Sequence, residues 1–369
     1  MKTTIRKSLV LLMTAVAVIS CTNDDDITPT EPIASCDVVE VSGTISEPTL
    51  WQAGFVYVIN GSNLRVTSTL TIEPGVIVKL KDARIEVANG KIIAQGIPGK
   101  RIVFTSLADD RYCGDTNADA STSSPEKGDW EQIYLAISAG SVFQYVDIFY
   151  AGRSSGGNTE AFSIQSETSA SFTFDQCRIA HTLYLPGSSS YAFNGTTAMR
   201  DASVSKFTNN ALYDNGRPIY FNAFYQLDPS NVFHNPEDPA VTNTFNGIYL
   251  NLNVGGEGLS VHWDNTEVPY VSEYVSVMQV HPTAAINIRP NVVVKFSAPG
   301  GGIQSYKGNV TLDPAAILTS FRDDSHGGDT NGDEGASAPA VGDWAGFRYT
   351  DGGTGTHWVN GPNILYSDN

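Results

Sequence analysis

Two stretches of the chain place oxygen-bearing side chains at matching positions. The acidic and amide residues recur in the same order and at a constant offset, so that Asp109 corresponds to Asp323 and Asp129 to Asp343. The full set is Asp109, Asp110, Asp115, Asn117, Asp119 and Asp129 in the first stretch and Asp323, Asp324, Asp329, Asn331, Asp333 and Asp343 in the second. The order Asp-x-Asn-x-Asp is how calcium-binding loops begin, because Ca²⁺ takes about six to eight oxygen ligands and tolerates irregular geometry. The pattern therefore predicts that these residues are candidate ligands of structural calcium.

The same residues also fit a loop that holds no ion. Neither stretch has the glycine that an EF-hand requires at its sixth position, and Glu126, at the twelfth position, is replaced by Ala340 in the second stretch. Asp129 and Asp343 would then have to complete the ligand shell. A solvated acidic loop held by Asx turns is the alternative to a calcium site.

Catalytic chemistry has weaker support in the sequence. Arg111 and Lys127 lie close to the first acidic stretch, but the second stretch has no basic residue at either equivalent position. A lyase would need such a residue to abstract a proton beside a carboxylate neutralised by calcium. Lys79 and Lys295 do recur, beside a proline turn, and are expected to be solvated. The histidines do not recur between the two copies and are expected at the surface or in turns: His181, His234, His262, His281, His326 and His357.

Both acidic stretches belong to a larger duplicated module. In each copy an alternating strand is followed by a strand ending in Thr-Ser, the acidic stretch and Gly-Asp-Trp, and the copies are expected at about 55–150 and 272–369. Elsewhere, short apolar runs alternate with Asn-Gly and Pro-Gly turns, with almost no helical periodicity. A β-sandwich, a barrel and a parallel β-helix all fit short strands. The even recurrence and the long-range repeat favour an all-β parallel β-helix, whose coils bury their apolar faces against each other.

The N-terminus has the features of a targeting segment. Three basic residues precede the apolar run from Leu9 to Ile19, which is too short to span a membrane comfortably. The sequence Val18-Ile19-Ser20-Cys21 that ends this run resembles the lipobox of bacterial lipoproteins, and this resemblance implies that Cys21 is lipidated. Residues 1–20 are then a signal peptide, 21–38 a lipidated flexible tether, and 39–369 the β-helix. The absence of aspartate directly after Cys21 resembles a lipoprotein sent to an outer membrane, and the acidic run that follows resembles a surface-export signal of Bacteroidetes-type bacteria.

Three cysteines remain after Cys21. An odd number permits at most one disulfide in an oxidising compartment. Cys177 lies in an alternating strand and is expected to be a small buried residue. Cys36 with Cys113 is the favoured pair, although the sequence leaves the pairing open.

A family resemblance supports the same architecture. The segments Leu70-Thr-Ile72-Glu-Pro74-Gly75-Val76, Ile102-Val-Phe104-Thr105-Ser106 and Gly128-Asp129-Trp130 resemble right-handed parallel β-helix surface lipoproteins of the Bacteroidetes type. The resemblance covers 40–152 and 285–349 well and 153–284 only in style. It implies a pectin lyase-like fold and says less about activity.

Charge and composition narrow the possible partners. The formal net charge of −17 becomes −20 without Lys2, Arg6 and Lys7, which argues against nucleic acid as a partner. Most aromatic residues between 184 and 274 are expected in the core, with about a third outside where they could bind sugars or protein. Polar inserts at 152–158, 185–190 and 228–240 are expected to form loops. We expect a lipid-anchored surface protein that binds a glycan or a partner protein without catalysis; a calcium-dependent polysaccharide lyase or glycoside hydrolase, and a purely structural spacer, are the alternatives.

Overall fold

The computed structural model describes residues 36–153, 159–165, 171–185, 190–195, 202–251, 256–273, 275–352 and 355–368. Within these ranges the chain is all-β, without helices, and most strands pair in parallel. The described residues accordingly contain no helix long and apolar enough to cross a membrane. Cys21 and the predicted signal peptide lie outside the described residues.

The strands are short and evenly distributed. The first half contains β1 Asp37–Glu40, β2 Gly43–Ile45, β3 Thr49–Trp51, β4 Phe55–Asn60, β5 Leu64–Val66, β6 Thr69–Ile72, β7 Ile77–Lys81, β8 Ile85–Gln95, β9 Ile102–Ser106, β10 Ile133–Ser138, β11 Ser141–Gln144, β12 Val146–Phe149, β13 Phe162–Ile164, β14 Phe172–Asp175, β15 Arg178–Ala180 and β16 Phe193–Asn194. The second half contains β17 Lys206–Thr208, β18 Ala211–Tyr213, β19 Ile219–Asn222, β20 His234–Asn235, β21 Asp238–Thr242, β22 Ile248–Asn251, β23 Ser260–Trp263, β24 Tyr270–Ser272, β25 Val277–Gln279, β26 Ala285–Ile288, β27 Val293–Phe296, β28 Gly302–Tyr306, β29 Val310–Leu312, β30 Ile317–Ser320, β31 Gly346–Thr350 and β32 Thr356–Val359.

The chain returns repeatedly to the same sheet. Ile77 pairs with Val56 on one side and Val103 on the other, so each step along this sheet is one circuit of the chain. The next step, from Ile102 to Val146, is longer, because the first acidic stretch lies within it. A seven-stranded sheet runs β1-β4-β7-β9-β12-β15-β18, and a sixteen-stranded sheet contains most of the remaining parallel strands. This arrangement is consistent with a β-solenoid, and it confirms the prediction of an all-β, mainly parallel fold.

The core is built by stacking equivalent side chains in register. Leu64 pairs with Ile85, which pairs with Ile133, and all three are fully buried. Between such positions the side chains point outward, as alternation requires: Arg65 and Glu86 face each other at 4.0 Å on the surface. The predicted period of two is therefore confirmed in these strands.

The aromatic residues of the middle segment are more deeply buried than expected. Of those predicted between 184 and 274, Tyr191, Tyr213, Phe221, Phe224, Tyr225, Phe233, Tyr249, Trp263 and Tyr270 are buried, and Tyr184 and Tyr220 are half-buried. Tyr274 lies outside the described residues. The predominance of core positions is confirmed, whereas the exposed third is not found among the described aromatics.

The predicted disulfide is present. Cys36, immediately before β1, is bonded to Cys113 in the first acidic stretch, and Cys177 is a buried free thiol. Two antiparallel strand pairs interrupt the parallel pattern in the described part of the chain. One, β20 with β21, begins in the insert predicted at 228–240 and ends at Thr242; the other, β31 with β32, lies near the C-terminal end. The inserts predicted at 152–158 and 185–190 fall largely outside the described residues.

Candidate functional site

The two acidic stretches form loops at equivalent places in the fold. The first acidic loop (107–129) follows β9, and the second acidic loop (321–343) follows β30. In the first copy Lys79 pairs across the sheet with Thr105, and in the second Lys295 pairs with Thr319. Because the strand register is the same, the two loops leave the sheet from the same position relative to their lysine.

The repeated lysines are buried beneath the loops. Lys79 Nζ donates to Gly114 O and to Thr116 Oγ1, both at 2.8 Å. Lys295 Nζ donates to Gly328 O at 2.6 Å and to Thr330 Oγ1 at 2.8 Å. Both lysines are 0% exposed, so the expectation that they are solvated is wrong. Their ammonium groups are instead satisfied inside the protein, where they hold the loop backbone against the sheet.

Each loop is closed by a second set of matching hydrogen bonds. Asp129 accepts from the Ser106 hydroxyl and from the backbone N–H of Glu126. Asp343 accepts in the same way from Ser320, at 2.6 Å, and from the backbone N–H of Ala340. These aspartates fasten the end of the loop to its beginning, which accounts for the fixed spacing between Thr-Ser and Gly-Asp-Trp.

Asp109 and Asp323 are also engaged within the protein. Both are buried and accept from the preceding threonine hydroxyl at 2.6 Å. Arg111 makes a bidentate contact with Asp109, at 2.8 and 2.9 Å. In the second loop Ser325 and His326 contact Asp323, at 2.5 and 2.7 Å. The equivalent buried carboxylates of the two copies therefore have different partners: an arginine in the first loop, and a serine and a histidine in the second.

The Asp-x-Asn-x-Asp segments fold into compact turns. Asp115 accepts from the backbone N–H groups of Asp119 and Ala120, and Asp329 accepts from those of Asp333 and Glu334. The hydroxyl of Ser123 and nearby backbone N–H groups lower the pKa of Asp119, and Ser337 does the same for Asp333. Asx turns, predicted as the alternative to an ion, are present at Asp109, Asp323 and Asp333, each of which accepts from the backbone N–H two residues further on.

The backbone of these turns is the same in both loops although the residues differ. Ala118, Ala120 and Ser121 have φ of 55°, 59° and 56°, in the left-handed region. Their equivalents Gly332, Glu334 and Gly335 have φ of 66°, 55° and 79°. Glycine adopts this region without steric cost, whereas other residues are strained there. The first loop therefore retains the conformation at a cost that its hydrogen bonds to Asp115 and Asp119 offset.

Only the second loop brings three carboxylates together. Ligand oxygens of Asp324, Asp329 and Asp333 all lie within 4.8 Å of one another, and this is the one such group among the residues that the structure describes. Burial and the neighbouring Asp329 raise the pKa of Asp324. In addition, Asp324 Oδ1 and Asn331 Oδ1 are buried without a hydrogen-bond partner, as is Asn117 Oδ1 in the first loop. A cation held by the three carboxylates would be offered two oxygens that the protein leaves without a hydrogen-bond partner, Asp324 Oδ1 and Asn331 Oδ1.

The second loop also packs on an aromatic surface. Arg217 lies over the rings of Tyr191 and Tyr249, at 5.6 and 5.3 Å from their centroids, and pairs with Glu273 at 2.8 Å. Tyr249 OH lies 3.5 Å from Thr330 O in the loop. Cation–π contacts of this kind stabilise a partly buried guanidinium. This cluster, which residue spacing alone does not indicate, contacts the second loop through Tyr249.

A separate cluster joins side chains that the sequence did not connect. His181 Nδ1 lies 2.6 Å from Asp214 Oδ2, and the His181 ring stacks on Tyr150 with centroids 4.8 Å apart. Tyr150 OH accepts from Arg111 at 3.1 Å, and Lys127 pairs with Asp214 at 2.7 Å. Tyr150, His181 and Asp214 all adopt positive φ, at 62°, 58° and 51°, at corners of successive circuits. The sequence alone does not indicate the contact of His181 with Asp214 and Tyr150, because it depends on the number of residues in each circuit of the chain.

Comparison with family models, with curated proteins and with solved structures gave no match to this chain.

Proposed function

We propose that this chain is a lipid-anchored, non-catalytic binding protein of the cell surface, built as a right-handed parallel β-helix with structural calcium in its second acidic loop. The observation that carries the calcium assignment is the convergence of Asp324, Asp329 and Asp333 beside the unpartnered Asn331 Oδ1. The lipid anchor and the outer-membrane address rest on the lipobox-like residues that end in Cys21. The handedness rests on the general rule that parallel crossover connections are right-handed.

Calcium fits the chemistry of this group of oxygens. Burial, and after it repulsion from Asp329, raises the pKa of Asp324. A divalent cation would remove that repulsion and would use the unpartnered amide oxygen of Asn331. Carboxylate and amide oxygens in irregular geometry suit Ca²⁺ better than Mg²⁺, which requires a near-octahedral site. In the first loop the equivalent Asp110, Asp115 and Asp119 do not form such a group, so the proposal narrows from two calcium sites to one.

A structural role for the ion is favoured over a catalytic one. Lys295 is buried and bonded to loop oxygens, and Asp323 and Asp343 accept hydrogen bonds from Thr319 and Ser320 at the end of β30. None of these groups is free to abstract a proton from a substrate beside the ion. Calcium would instead fix the second loop where it packs against Tyr249.

The proposal is tested by calorimetric calcium titration of the full-length protein in detergent, with melting curves in calcium and in chelator. We expect one site and a higher melting temperature with calcium. Asp324→Asn removes a charge from a residue whose Oδ1 has no hydrogen-bond partner and should weaken binding at least tenfold. Asp110→Asn is the matched change in the first loop and should leave binding unchanged. Equal melting temperatures in calcium and chelator would contradict the calcium assignment, and equal losses in both variants would restore the two-site alternative.

A polysaccharide lyase is the second candidate, because His181, Asp214 and Tyr150 lie in contact. A histidine oriented by a carboxylate next to a tyrosine is a suitable acid–base pair. Incubation with polyuronates would release unsaturated products that absorb in the ultraviolet, and His181→Ala would abolish their formation. Binding to glycans without such products would favour the non-catalytic assignment.

A further inference from the structure

A cleft of about 730 Å³ lies between the first acidic loop and the first strands of the seven-stranded sheet. Its lining includes Glu40, Asn60 and Lys81 from the strands and Asn117, Ser123 and Glu126 from the loop. A volume of this size is in the usual range for small-ligand sites.

In the second copy of the module the equivalent position is taken by Tyr249, which packs against the loop. In the first copy Glu40 pairs with Val58, which pairs with Lys79. In the second copy Tyr249 pairs with Val271, which pairs with Lys295. Glu40 in the first copy and Tyr249 in the second are therefore equivalent residues, each two strands away from the buried lysine of its copy. Tyr249 is fully buried against the second loop, whereas Glu40 is exposed.

A covalent bond keeps the first loop in place without filling the cleft. Cys113 in the first loop is bonded to Cys36, directly before β1. Its equivalent in the second loop is Gly327, which packs closely on Pro269. The first copy thus fastens its loop by a disulfide where the second uses packed side chains, so the open space is part of the folded structure and needs no rearrangement to admit a ligand.

The charge of the side chains that line the cleft indicates which class of ligand it can bind. Four carboxylates, those of Glu40, Asp119, Glu126 and Asp129, face a single cation, Lys81. Asp119 and Asp129 are engaged in hydrogen bonds of the loop. Glu40 and Glu126 are exposed and have no ion-pair partner among the described residues. Such a lining repels uronates, sulfated sugars and phosphates and attracts cations.

The lining also disfavours a neutral sugar held by ring stacking. No aromatic side chain lines the cleft, and sugar-binding platforms depend on aromatic rings. The exposed carboxylates of Glu40 and Glu126 accept hydrogen bonds, and an ammonium group can donate three.

We propose that this cleft binds a small ligand carrying ammonium groups, such as a short amino-sugar oligomer or a polyamine, between Glu40 and Glu126. The inference rests on the proposed binding function but is independent of calcium, because it uses the first loop. The predicted tether between Cys21 and Cys36 contains no lysine or arginine, so it does not supply the ammonium group.

The test is calorimetric titration of the full-length protein in detergent with a glucosamine tetramer, its fully N-acetylated form and spermidine, in saturating calcium at low salt. We expect the glucosamine tetramer or spermidine to bind and the acetylated tetramer to bind at least tenfold more weakly. The stronger of the two amines identifies the source of the ligand. Calcium binding by the second loop is measured in a separate titration. The calcium proposal and the amine-binding proposal can therefore be contradicted independently of each other.

Variants locate the site. Glu40→Gln and Glu126→Gln keep the side-chain shape and should each weaken amine binding about tenfold, because a charge-assisted hydrogen bond is lost. Glu40→Tyr introduces the side chain found at the equivalent position and should abolish binding by filling the cleft. Glu257→Gln, an exposed carboxylate outside the lining, is the control and should bind like the wild type. No amine binding, equal binding of the acetylated tetramer, or unchanged affinity in the two glutamine variants would each overturn the inference.

Discussion

Lys295 Nζ lies 2.8 Å from the hydroxyl of Thr330, and Lys79 makes the same contact with Thr116 at the same distance. Because both lysines are completely buried, each loop is tied to its sheet by an ammonium group that solvent does not reach. The two copies differ at several positions of the loops, including Cys113 and Gly327, but the lysine and threonine of this contact are the same in both.

Replacing either buried lysine by methionine should destabilise the protein. The change removes the ammonium donor from a loop carbonyl and a threonine hydroxyl, and a buried polar group left unsatisfied costs about 1–3 kcal/mol. Chemical denaturation of Lys79→Met and Lys295→Met measures the loss. Lys81→Met, which alters an exposed lysine of the same strand, is the control and should change the free energy of unfolding little. Wild-type stability in the two buried-site variants would show that the loops are held by other contacts.

Stability should depend on pH through Lys295. Burial, partly offset by Asp324, lowers the pKa of Lys295 from 10.5 to about 8. Between these values the unfolded chain binds more protons than the folded protein, so the free energy of unfolding should rise as the pH increases from 8 towards 10.5. The difference between the two pKa values sets an upper limit of roughly 3 kcal/mol on this rise. Chemical denaturation of the wild type and of Lys295→Met at pH 8 and at pH 10.5 measures the contribution of Lys295 to this rise. If the difference in free energy of unfolding between the two proteins is the same at both pH values, the prediction is wrong.

The disulfide should contribute strongly to stability and should leave one thiol. Cys36 and Cys113 are separated by 77 residues, and closing a loop of this length stabilises a protein by about 2–5 kcal/mol. We expect Cys36→Ser with Cys113→Ser to lower the melting temperature, and reductant to have the same effect on the wild type but none on the double variant. Thiol titration of the denatured, unreduced Cys21→Ser chain should find Cys177 alone. Three reactive thiols would contradict the pairing.

Two glycines in equivalent turns should differ in their tolerance of alanine. Gly128 and Gly342 have φ of 90° and 91°, so alanine is strained at both. A Cβ at Gly128 would also lie 2.8 Å from Leu183 Cδ2, whereas at Gly342 the nearest atom is 3.8 Å away. Backbone strain costs about 1–3 kcal/mol, and the clash should add to it, so Gly128→Ala should be the less stable variant by chemical denaturation. The opposite order would show that Leu183 moves away freely.

The sequence predicts the strands and the duplication because both depend on local patterns. Alternation in β5 and β8 identifies Leu64 and Ile85 as core residues, and the constant offset between the two acidic stretches aligns the loops. Alternation around Cys177 predicts that its side chain is buried, which favours the pair Cys36 and Cys113, and Cys177 is indeed buried, although it lies between β14 and β15.

Contacts between distant residues could not be predicted in the same way. Lysine is normally exposed, so the burial of Lys79 depends on a later loop that folds back over it. Glu40 and Tyr249 do not follow the offset that relates the two loops, so only the strand register shows that they are equivalent. The contact of His181 with Asp214 likewise follows from the length of one circuit, which the sequence does not specify.

The position of the disulfide has a mechanical consequence. Cys36 lies between the N-terminal segment and β1, and its partner lies in a loop fastened to the sheet by Lys79. Tension applied to the chain N-terminal to Cys36 therefore passes through the disulfide into that loop. The hydrogen bonds between β1 and β4 then do not have to break one after another. The N-terminal end of the sheet is a clamped end, at which a load is shared by the body of the protein.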